Sequence, residues 1–259
     1  MRDAATVNHR MTIGRRLQDR PVPLLFGAMA VSLAALLLFP PLLQDQTYHQ
    51  FADQRKLLGI PNFWDVISNL PFIAVGAAGL WTFHRHPITI ALFSGMILTG
   101  FGSSYYHWNP SDASLLWDRL PMTICFAAIL AALVQERVDP KAGNLILWLL
   151  LAIGISSIVL WRWTGDLRLY VWAQFFPLLA LALILQLFEP KYTGSFYWIV
   201  AIAFYVLAKV FEHFDEEIFS AGLVLSGHTL KHLAAAAAGF AILLLFKRRQ
   251  PIRPAPGSG

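Results

Sequence analysis

The sequence predicts an all-α, polytopic membrane helical bundle, and three observations carry that prediction. Hydrophobic residues make up 57% of the 259-residue chain and charged residues only 14%, against about 25% charged in an ordinary soluble domain. The charges gather in short clusters between apolar runs, and a run of roughly 18 or more apolar residues is long enough to cross a bilayer as a helix. Turn and breaker residues separate the runs, at His86-Pro87, Asn109-Pro110, Asp139-Pro140 and Glu189-Pro190.

Eight spans follow in order: 22–43, 66–83, 88–108, 114–134, 143–163, 168–188, 196–213 and 219–246. The first follows a basic tail over 1–21, as a signal peptide would. Its apolar run of about 21 residues exceeds the usual 7–15, and Phe39-Pro40-Pro41-Leu42 is no small-residue cleavage site, so it reads as a retained helix. The third span carries Ser103 and His107 near its end, and the fourth opens on Leu116-Trp117-Asp118-Arg119-Leu120-Pro121. The fifth and sixth are long apolar runs. The seventh ends in a polar cluster of Lys209, Glu212 and His213, with Asp215 just beyond. The eighth holds His228, Lys231 and His232, then an alanine run over Ala234–Ala238 that suits close helix packing. A basic tail over 247–259 closes the chain, and its last residues, Pro254 to Gly259, read as disordered.

The formal net charge of +5 is not a nucleic-acid signal, because the basic residues form no single patch. They follow membrane orientation instead. With both termini cytoplasmic, thirteen of the twenty Lys and Arg residues fall in cytoplasmic segments. Four, Arg55, Lys56, Arg162 and Arg168, face the other side, and Arg119, Lys209 and Lys231 lie within spans. The lone cysteine, Cys125, excludes an internal disulfide and a cysteine-rich metal site.

Ionisable side chains inside a span cost about 2.5–3.5 kcal/mol each on insertion scales, so they mark paired or functional groups. Five polar residues stand out. Ser103 and His107 are four apart, as are His228 and His232, and residues four apart share a helix face. Asp118 opens the helix that follows His107. The alternation of spans puts all five toward the extracytoplasmic side. Three imidazoles at one depth suit Zn²⁺, whose catalytic sites use three protein ligands and an open position. A carboxylate such as Asp118 can then move a proton, and a hydroxyl such as Ser103 can hold the water or donate to an oxyanion. Read singly, Asp118 could equally pair with Arg119 or cap a helix, whereas Lys209 and Glu212 read as an internal ion pair beside an acidic helix end, with shaping of a substrate entrance as the alternative. His84 and His86 fall on the opposite side and read as loop residues.

The pattern Ser103-x3-His107, Asp118, His228-x3-His232 resembles the alkaline ceramidases and their superfamily of seven-helix membrane hydrolases, which includes the adiponectin receptors. The segment Asn62-Phe63-Trp64-Asp65-Val66-Ile67-Ser68-Asn69 is similar to the start of the ceramidase core. The resemblance covers about 53–246 and implies a seven-helix core, with 22–43 as an extra N-terminal helix. It implies His107, His228 and His232 as zinc ligands, Asp118 as the proton carrier, Ser103 as its assistant, and a membrane lipid amide such as ceramide as substrate, cleaved to a fatty acid and a sphingoid base. One feature departs from that family. Its acidic calcium-binding stretch is replaced by Asp53-Gln54-Arg55-Lys56, with Asn62 in place of a glutamate, so a comparable calcium site is not expected although Asp53 and Asp65 remain. The rival readings are a receptor or sensor with a structural zinc, a transporter or proton relay, and a retinal-type pigment using Lys231.

Overall fold

The computed structural model describes residues 21–222 and 224–252, and these are helical with no strand named among them. The basic tail over 1–20 and the end of the C-terminal tail lie outside the described residues. Eight helices among the described residues are long and apolar enough to cross a membrane, and the chain is an integral, multi-pass membrane protein.

The helices are α1 (Pro21–Ala35), α2 (Phe63–Ile67), α3 (Leu70–Phe83), α4 (Pro87–Trp108), α5 (Asp112–Arg137), α6 (Pro140–Thr164), α7 (Arg168–Leu187), α8 (Phe196–His213), α9 (Asp215–Ser220) and α10 (Gly227–Arg248). Their ends obey local chemistry. Ser111, Asp139 and Ser226 cap α5, α6 and α10 by accepting from backbone N–H groups in the first turn. Pro87 and Pro140 occupy first-turn positions, where a missing N–H costs nothing. Gly165 ends α6 with φ +75°, the left-handed stop that glycine adopts without strain.

Two span boundaries move. The first helix stops at Ala35, continues as a 3-10 turn over Leu36–Leu38, and gives way to extended chain rather than running to 43. Pro40 and Pro41 offer no N–H to continue it. The last span does not begin at 219. The short α9 ends there, Gly222 turns the chain at φ +82°, and the Ser226 cap starts α10 at Gly227. Apolar residues on both sides of that turn hide it from a hydropathy reading. The second span is also divided, since α2 and α3 are separated at Ser68 and Asn69.

In the bundle, α4 packs between α3 and α5, α5 against α6 and α7, and α10 against α8 and α3. Phe93, Leu92, Leu130, Leu133, Ile146, Leu147, Ile242 and Leu245 form the core between them. Trp81 at 87% exposed and Leu38 at 83% point outward, which in water would be costly but in a bilayer places apolar surface against lipid. A smaller cluster of Phe51, Tyr106, Leu115, Ile158, Trp161, Leu167 and Tyr170 closes the end where α4 passes into α5. It seats the loop between α1 and α2 over that end.

Candidate functional site

The backbone first lets the helices approach. Pro121 lies inside α5 and has no N–H for the carbonyl of Trp117, four residues earlier. That carbonyl faces Gly102 on α4, where a Cβ would collide with it. The glycine sits one residue before Ser103, so the contact brings Ser103 and His107 against the start of α5 and Asp118. The same device recurs on α10. Gly227, directly before His228, faces the Phe211 carbonyl of α8 so closely that a Cβ would overlap it. Asp215 then ties the region together, accepting from the His228 N–H at 2.6 Å and the Ala52 N–H at 3.1 Å.

These contacts gather His107, His228 and His232, each at most 5% exposed. Their ring centres are 4.7, 4.8 and 5.0 Å apart, and one ring nitrogen from each lies within 4.8 Å of the others. Both nitrogens of His107 are buried without a hydrogen-bond partner. A buried polar group left unsatisfied costs about 1–3 kcal/mol, and a cation among the rings would relieve it. Three imidazoles are a donor set for zinc, and also for copper, iron or nickel. The residues fit a metal ion.

The surroundings orient the rings. The Ser68 hydroxyl meets His232 Nδ1 at 2.8 Å and donates to the Asp65 carbonyl. Asn62 donates to the His107 carbonyl at 2.8 Å. The Phe51 ring packs on both His107 and His228, at 4.5 and 4.9 Å between centres. Asp65 is fully buried and accepts from Thr229 Oγ at 2.6 Å, which pins α2 to the first turn of α10. Orienting partners of this kind fix ligand rings and raise their basicity.

Asp118 and Ser103 open, with His232, onto a cavity of about 320 Å³. Its polar end also presents Tyr48, Arg119, Lys209, Glu212 and Lys231. Its other end is lined by apolar residues such as Leu92, Met96, Ala238 and Ile242. Glu212 joins two lysines, Lys209 at 2.6 Å and Lys231 at 2.8 Å. Lys231 Nζ also lies 3.0 Å from His228 Nε2. Tyr48 donates to Glu212 at 3.4 Å, and burial and that carboxylate both push its phenol pKa upward, so it stays a donor.

All five residues singled out from sequence therefore meet in one place. The pair read as Lys209 with Glu212 is present, but it belongs to the same cavity rather than to a separate helix end. Asp118 does not pair with Arg119, whose guanidinium turns to a ring of aromatics. Asp53 pairs with Arg55 at 2.6 Å. His84 and His86 lie at the far turn between α3 and α4, where His86 caps α4. Ser68, Thr229 and Phe51 escape a sequence reading because hydroxyls and aromatics are ordinary packing residues until their partners are known.

The model of the family described as Ceramidase matches residues 59–250. The match runs from the turn before α2 to just past α10 and leaves α1 outside it. No curated protein matches the chain.

Proposed function

The chain belongs to the ceramidase family, and from that premise we propose that it is an intramembrane, zinc-dependent amidase. Its substrate is a long-chain lipid amide such as ceramide, released as a fatty acid and an amine. The observation that carries this reading is a cluster of three buried imidazoles, one of which, His232, opens with Asp118 onto a largely apolar cavity.

His107, His228 and His232 would hold the ion. Bound there, zinc supplies Lewis acidity that polarises the amide carbonyl and makes water a nucleophile near neutral pH. The chain's own groups do the rest. Asp118 takes a proton from the attacking water and delivers it to the amide nitrogen as the C–N bond breaks. Ser103, which lines the same cavity as Asp118, assists at the attacking water or at the developing oxyanion. Ser68 accepts from the Nδ1–H of His232, which leaves Nε2 free to ligate. The acyl chain lies between α4, α5 and α10 against Leu92, Met96 and Ile242, and the apolar walls exclude bulk water. On the loop-charge reading both termini are cytoplasmic and this centre lies toward the extracytoplasmic side.

The test is release of palmitate from N-palmitoyl sphingosine by the detergent-purified protein. The expected result is release that a chelator stops and added zinc restores. Release indifferent to the chelator, or no release from the metal-loaded protein, contradicts the proposal.

A further inference from the structure

Arg119 lines the cavity one residue after Asp118, yet the hydrolytic chemistry gives it no task. It is 7% exposed. Its guanidinium carbon lies 4.7 Å from the ring centre of Trp161, 4.9 Å from Tyr170 and 5.5 Å from Tyr48. Its Nη2 donates to Gln44 at 2.7 Å, and its Nη1 is buried with no partner. Among the described residues it forms no ion pair, and Glu212 is taken by the two lysines. Aromatic faces stabilise a guanidinium over its plane. They do not use the N–H groups at its edge, so Nη1 is left a charged donor without a partner, on a side chain that lines the cavity.

The charge balance of the cavity points the same way. Its polar end carries three cations, Arg119, Lys209 and Lys231, against two carboxylates, Asp118 and Glu212. Arg119 is the cation without a counter-ion. Its position says which part of a ligand it meets. The acyl chain belongs at the apolar end by Met96 and Ile242, and the amide at Asp118. Arg119 lies with Tyr48, Tyr170 and the loop residue Gln44, on the side where the amine portion of the lipid must sit.

We propose that Arg119 binds an anionic oxygen group on the amine side of the lipid amide, so that the preferred substrates are anionic long-chain amides, either N-acyl amino acids or amides bearing a phosphate. The proposal rests on the amidase reading for turnover but not for binding. An arginine suits either oxyanion, because a charge-assisted N–H bond forms equally to carboxylate or phosphate.

The experiment compares N-palmitoylglycine, the phosphate ester of N-palmitoylethanolamine, and neutral N-palmitoylethanolamine on the metal-loaded protein. Hydrolysis and equilibrium binding are both measured, for wild type, Arg119→Gln and Arg119→Lys. Wild type should favour at least one anionic amide by about tenfold or more in kcat/KM, mainly through KM, as expected for a hydrogen bond to a charged group. Arg119→Gln should collapse that ratio toward unity, and Arg119→Lys should retain part of it. Whichever anionic amide carries the preference identifies carboxylate or phosphate. Equal or better use of the neutral amide by wild type overturns the proposal even if Arg119→Gln fails to fold. So does an unchanged ratio in an Arg119→Gln protein that keeps its helical circular dichroism. Preferential binding of an anionic amide without cleavage sustains the anion site and removes the amidase reading. Cleavage of all three alike sustains the amidase reading and removes the anion site.

Discussion

Ser68 and Asp118 separate two jobs that are easily merged. Ser68 touches no reacting atom; it holds His232 Nδ1 at 2.8 Å. Ser68→Ala should weaken metal binding by roughly 10–100-fold while leaving the three ligands in place, as loss of an orienting partner does. Competition with a metal-sensitive dye reads this, and unaltered affinity would show the hydroxyl to be incidental. Asp118→Asn should do the opposite, keeping the metal and lowering kcat by roughly 10²–10⁴. Full turnover in that variant would remove the proton-carrying role. His107, His228, His232, Ser103 and Asp118 are legible in the sequence because charged or titratable groups at four-residue spacing stand out in apolar helices. Ser68 and Arg119 are not. Ser68 is one hydroxyl among many, and Arg119 reads as a partner for its neighbour Asp118 until the aromatics around it and its unpaired Nη1 are known.

Helices meet at this centre only because two glycines permit it. Gly102→Ala places a methyl group into the Trp117 carbonyl and should push α4 from α5. The expected cost is about 1–3 kcal/mol or more, typical of overpacking, seen as a lower Tm together with lost metal. Gly27→Ala, on α1 with nothing within 4 Å, should change neither. A Gly102→Ala protein that melts and binds metal like wild type would show the contact to be slack. A further element-level device joins α1 to the α6–α7 turn. Arg168 donates to Asp166 and to the Leu36 carbonyl, and Asp166 accepts from the Leu42 N–H. The Arg168 side chain holds the Asp166 carboxyl below its ordinary range. A depressed carboxylate stabilises the fold above its unfolded pKa of about 3.9 and loses that contribution as pH falls through the lower folded value. Acid melting curves should therefore be flatter in Asp166→Asn than in wild type, and identical curves would dismiss the pair. The helix order is legible from hydropathy. The breaks at Ser68–Asn69 and at Gly222 are not, because apolar residues flank both and the turns are set by backbone geometry and capping rather than composition.

Across the whole molecule, α1 stands apart from the rest. Only 6% of its spanning window is buried in the protein, against 67% for α5, and the family match begins after it. A chain lacking residues before Pro40, which leaves Gln44 and its bond to Arg119 in place, should keep its metal and its activity, with at most a modest loss of Tm. Collapse of metal binding in that truncated protein would make α1 part of the core. The loop it leads into is a different matter, since Tyr48, Phe51 and Ala52 touch Glu212, the histidines and Asp215 directly. The central claim is that α4 and α10 together hold one metal ion. Its most direct test is the metal content of the detergent-purified protein beside His228→Ala and His232→Ala. Wild type should carry about one zinc per chain and either variant little, as three-histidine ligation requires. A folded wild type that takes up no metal when zinc is supplied, or variants that keep it in full, would contradict the account.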